Sequence, residues 1–85
     1  NVVIVKPGST QRVGEAADAM AQLPDGFERH FVPDSPDVLF FTPLVAAGKS
    51  CRLTFKAPAE PGGYPFLCSF PGHWRAMRGI LRVRK

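Results

Sequence analysis

The chain has 85 residues, 45% of them hydrophobic, which is enough for one small domain with a buried core and too few for two. Nine prolines and eight glycines separate apolar runs rich in Val, Phe, Leu and Thr, so short strands joined by tight turns are expected and the class is mostly β. The formal charge is +4, and no stretch is apolar for long enough to span a membrane.

The charge is unevenly placed. Arg75, Arg78, Arg82, Arg84 and Lys85 fall in the last eleven positions with no acid among them, whereas six of the seven acids lie between positions 15 and 37. Without interleaved aromatics or a nucleic-acid motif, this basic end reads as a solvated strand face and not as a nucleic-acid surface.

In chain order, VVIV at residues 2–5 is a short apolar run ended by Pro7-Gly8, the pattern of a buried strand. Residues 9–23 carry Val13, Ala16, Ala17, Met20 and Leu23 at three- and four-residue spacing, which predicts an amphipathic helix stopped by Pro24-Asp25-Gly26. FERHFVPDSPD is a proline-rich loop, in which His30 is expected to be solvated. A second strand is predicted over 38–42 and a third over 50–56, with a turn near Ala47-Gly48-Lys49. In the third, Cys51, Leu53 and Phe55 alternate with polar residues, so Cys51 is expected to face the core as a free, buried thiol. A fourth strand is predicted over 64–70, with Tyr64, Phe66, Cys68 and Phe70 on one face, and a fifth over 79–84.

Between the last two strands lies CSFPGHWRAM, residues 68–77. A thiol ends one strand, an imidazole follows five residues on, and a thioether four residues later. These are the side chains that soft transition metals prefer, and thiolate plus imidazole with a weak axial thioether is the donor set of blue-copper sites. Zinc rarely takes a thioether, so Met77 favours copper. Singly, each residue also has a plain structural reading: a small core thiol, a surface imidazole, a flexible gap filler. No paired carboxylates, nucleophile motif or phosphate-binding glycine loop suggests an enzyme.

YPFLCSFPGHWRAMRGILRV resembles the copper-binding C-terminal hairpin of the azurin, auracyanin and plastocyanin-like cupredoxins, with its Cys-x4-His-x3-Met loop and a Gly at the start of the last strand. NVVIVKPG is similar to the strand following the first copper histidine, VGEAADAM to the helical insertion of that branch, and VPDSPDV to its following loop. The resemblance implies an all-β Greek-key sandwich with one short helix after the first strand. It also implies one type 1 copper ion held by Cys68, His73 and Met77, with Asn1 bracing the cysteine loop through its side chain. Trp74 would stand on an apolar rim where a partner docks, while composition alone reads it equally well as a packing residue.

The first histidine ligand of the family would fall immediately before Asn1, and fewer strands are predicted than a full sandwich holds. Residues 1–85, which open on a strand with no initiator Met, are therefore expected to be one cupredoxin-like domain lacking its N-terminal strands. The function implied is one-electron transfer between redox partners such as a cytochrome c or a dehydrogenase domain, outside the bacterial cytoplasm, with Arg75 and Arg78 steering an acidic partner. A copper-handling module without fast redox cycling, and a structural domain that has lost its metal, are the alternatives.

Overall fold

The computed structural model describes residues 1–45 and 48–84. Strand β1 (Val3–Val5) is buried along its whole length, which suits three consecutive apolar residues in the interior of a sheet. The chain then turns through Pro7-Gly8 into helix α1 (Thr10–Ala19), continued by a 3-10 turn over Met20–Gln22. Leu23, just before Pro24, already has extended dihedrals (φ −91°, ψ 141°). Proline crowds the residue ahead of it out of the helical region, so the helix stops where the Pro-Asp-Gly signal predicts.

Strand β2 (Val38–Phe41) pairs antiparallel with β1. Strands β3 (Gly62–Leu67) and β4 (Arg78–Val83) form an antiparallel hairpin, and β3 also pairs with β1, which gives one sheet of order β2-β1-β3-β4. Helix α1 lies against this sheet, and Val13 joins Val3, Val5, Val32, Leu67 and Trp74 in the core. The mostly β class and the single helix after the first strand are as expected. The described strands build one sheet of the anticipated two-sheet sandwich.

Three local expectations are corrected. Residues 50–56 do not form a strand: β2 is the edge of the sheet and the segment does not join it. The alternation survives only in side-chain packing, with Leu53 and Phe55 half-buried and the Phe55 ring against Phe40 at 4.7 Å between centroids. Cys51 is exposed, not buried, because nothing covers the start of a segment that lacks a ladder. In β3 the deepest residue is Leu67, 1% exposed, whereas Phe66 on the opposite face is 36% exposed. Helix α1 covers the Leu67 face, so the deepest position of β3 lies one residue off the face read from its aromatics, on which Tyr64 and Cys68 are buried as expected and Phe66 and Phe70 are not. Ala47, part of the turn predicted near 47–49, lies outside the described residues, as do Ala46 and Lys85.

Candidate metal centre

The β3–β4 register builds the site. Leu67 pairs with Arg78, and the next pair in an antiparallel ladder is Cys68 with Met77. The Cys68 N–H indeed donates to the Met77 carbonyl at 2.9 Å, so the ten-residue loop is closed at its base by the two residues that begin and end it. Within the loop, Gly72 has φ +84°, a left-handed conformation that costs a residue with a Cβ about 1–2 kcal/mol. That reversal delivers the chain into a 3-10 turn over His73–Arg75. The His73 N–H donates to the Phe70 carbonyl at 2.9 Å, and the His73 carbonyl accepts from the Met77 N–H at 2.9 Å.

Cys68 Sγ stands 3.8 Å from His73 Nδ1. Two donors on one ion, with metal–sulfur and metal–nitrogen bonds of about 2.3 and 2.0 Å at roughly 120° in a trigonal plane, would be separated by about 3.7 Å. The pair therefore fits a shared soft metal without rearrangement. Cys68 is buried, while His73 is exposed and Met77 is 55% exposed, its backbone fixed opposite Cys68. Among the described residues no group of three or more His, Cys, Asp and Glu gathers to hold a metal.

Asn1 meets the loop at its cysteine end. Its main-chain nitrogen is 3.8 Å from Cys68 Sγ. Its side chain accepts the Ser69 N–H at 2.9 Å and donates to Ser69 Oγ at 2.9 Å and to the His30 carbonyl at 3.2 Å. Ser69, fully buried, also donates to the His30 carbonyl at 3.4 Å. His30 is not the solvated residue its loop suggested. It is half-buried with φ +56°, and its Nδ1 accepts the Leu44 N–H at 3.1 Å, so its imidazole already has a structural partner.

On the other side the loop meets helix α1. Trp74 is 4% exposed, which removes it from the apolar rim and places it in the core. It lies over Gly14, where a Cβ would overlap the indole ring, so the helix can approach only because position 14 is glycine. The indole N–H donates to Asp18 Oδ2 at 3.0 Å, and the Gly72 N–H donates to Asp18 Oδ1 at 2.7 Å. Arg75 stacks over the Trp74 ring at 4.6 Å and approaches Asp18 Oδ2 at 3.6 Å. The Trp74 bond first, then the Gly72 bond, hold the Asp18 carboxyl below the ordinary carboxylate range, with a smaller pull from Arg75 and against the effect of partial desolvation.

The exposed rim near His73 is formed instead by Phe70, whose ring is 4.7 Å from the imidazole, and by Met77. Phe70 in turn meets Phe31 edge to face at 5.4 Å. Asp18, Gly14, Ser69 and His30 are parts of the site that the sequence does not announce. A helix residue and a loop residue that meet at a distance of 56 positions leave no spacing pattern to read.

The profile of the copper-binding proteins of the plastocyanin/azurin family matches residues 1–84. The chain belongs to that family. It is 41% identical over 86 residues to Auracyanin-B of Chloroflexus aurantiacus, covering 98% of this chain and 34% of that protein. It is 34% identical over 76 residues to Azurin iso-2 of Methylomonas sp. strain J, covering 86% of this chain and 57% of that one. A solved structure of the azurin (Az-iso2) from Methylomonas sp. strain J superposes with a TM-score of 0.81 at 29% identity, over 99% of this chain and 64% of the azurin. The cupredoxin fold is thereby shown. The chain spans about a third to just over half the length of these two sequence relatives.

Proposed function

We propose that the chain holds one copper ion through Cys68, His73 and Met77, together with an imidazole on the residue preceding Asn1, and works as an electron carrier and not as an enzyme. The observation that carries this reading is the 3.8 Å separation of Cys68 Sγ and His73 Nδ1 within a Cys-x4-His-x3-Met loop. The position of the fourth donor is supported by the main-chain nitrogen of Asn1, which is 3.8 Å from the same sulfur and so would bring its preceding residue to the centre. Residues 1–85 are read accordingly as the metal-loop part of a cupredoxin sandwich.

Copper bound here would supply the Cu(I)/Cu(II) couple. The protein's contribution is to hold the donors still. Buried Cys68 keeps its sulfur from water, and Asn1 and Ser69 pin the main chain beside it. Hydrogen bonding and burial of this kind tune a site's potential. His73, exposed between Phe70 and solvent, offers the edge nearest to a docked redox protein, such as a cytochrome c or a dehydrogenase domain. Docking would be weak and centred on Phe70, His73 and Met77, as suits rapid turnover. An extracytoplasmic bacterial location fits the family, and among the described residues no helix is long and apolar enough to cross a membrane.

Titration of the full-length metal-free protein with Cu(II) tests the reading. An intense visible band that saturates at one equivalent, bleaches with ascorbate and returns with ferricyanide is expected. Copper uptake without a band that cycles would contradict it.

A further inference from the structure

We propose that Asp18 is a positioning residue for the metal loop, its carboxylate holding Gly72 and Trp74, the residues on either side of His73, and so fixing where the imidazole stands relative to Cys68 Sγ. The inference rests on the copper reading above and adds to it a residue from helix α1 that touches none of the proposed donors.

The geometry is that of a two-point clamp. Each carboxylate oxygen takes one donor from the loop: Oδ1 the Gly72 N–H at 2.7 Å, Oδ2 the Trp74 indole N–H at 3.0 Å. Charge-assisted bonds of this type are shorter and stronger than neutral ones, and they cross from one element to another. The second anchor is steric, since the Trp74 ring is seated against Gly14 on the same helix one turn before Asp18. Arg75 closes the arrangement by stacking on the ring and facing Oδ2.

His73 itself is exposed and has little packing to orient it apart from the Phe70 ring. Its backbone hydrogen bonds, to Phe70 and from Met77, stay within the loop, whereas its two neighbours are both tied to helix α1 by one side chain. An asparagine cannot replace that side chain. It offers a single acceptor oxygen, so either Gly72 or Trp74 would face an amide N–H.

The test compares Asp18→Ala and Asp18→Asn with Glu15→Gly, which weakens the same helix on its exposed face without touching the loop. Copper affinity is read by chelator competition, the site by EPR and visible spectra, and the loop by hydrogen exchange of the Gly72 amide in the metal-free protein, all in the full-length chain. In Asp18→Ala the affinity should fall by about tenfold, the low end of the range for groups that orient ligands, with a shifted band and a Gly72 amide that exchanges at least about tenfold faster. Asp18→Asn should move the same readouts in the same direction, and Glu15→Gly should move none of them. Unchanged affinity and spectra in both Asp18 variants, or equal changes in Glu15→Gly, would overturn the proposal. A wild-type protein that forms no band would instead overturn the copper reading itself, an outcome distinct from unresponsive variants of a blue protein.

Discussion

The main-chain N–H of Cys68 donates to the Met77 carbonyl at 2.9 Å, one pair beyond the last strand pair, Leu67 with Arg78. Directly opposed residues of an antiparallel pair carry their side chains to the same face, so a thiol and a thioether separated by an eight-residue excursion are brought together by backbone register alone. The scaffold does not depend on the Met77 side chain. Because that side chain is 55% exposed, Met77→Ala should change the stability of the metal-free protein by less than about 0.5 kcal/mol in urea denaturation while altering the visible and EPR spectra of the copper form.

Gly14 and Trp74 set a second expectation. In an exposed helix, Gly→Ala would stabilise by about 1 kcal/mol. Here the new Cβ would overlap the indole, and overpacking of a filled core costs about 1–3 kcal/mol. The steric cost is the larger, so Gly14→Ala should lower the urea midpoint and shift Trp74 fluorescence.

Acid should weaken the protein in a defined direction. Asp18 is held below its ordinary range by Trp74 and Gly72, and Asp37 by its 2.7 Å bond from Arg12, assisted by the charges of Arg12 and Lys6. A carboxyl with a depressed native pKa contributes stability that is present above the unfolded value of about 3.9 and is lost as pH falls through the lower native value. Melting temperature should thus hold down to about pH 4 as far as these two groups are concerned and then fall, and Asp18→Asn with Asp37→Asn should flatten that acid limb.

The basic residues beside the loop lead to a kinetic prediction. Arg75 faces Asp18 and is partly neutralised, so the exposed Arg78 is the freer charge near Met77. Arg78→Glu should slow association with an acidic redox partner by about fivefold at low ionic strength, with the difference shrinking as salt is added. Stopped-flow electron-transfer rates against ionic strength would check this, and salt-independent rates would remove the steering role.

Sequence patterns located the elements that depend on local chemistry. The apolar run of β1, the helical spacing ended by Pro24 and the Cys-x4-His-x3-Met loop are all legible because each is written in neighbouring residues. What was misread depends on partners elsewhere in the chain. Residues 50–56 alternate as a strand should, yet a strand exists only if a neighbour completes its ladder. Cys51 is exposed for the same reason. Trp74 stands beside an exposed histidine in sequence, but its burial is decided by the missing side chain of Gly14 and by the carboxylate of Asp18.

A type 1 copper site shared by Cys68 and His73 would show itself in the EPR and visible spectrum of the Cu(II)-loaded chain, extended upstream to include the residue before Asn1 and measured beside Cys68→Ser in the same form. An intense charge-transfer band with a narrow copper hyperfine splitting is expected in the extended chain and neither feature in the serine variant. A wide hyperfine splitting and no intense band in the extended chain, or spectra that Cys68→Ser leaves unchanged, would contradict it.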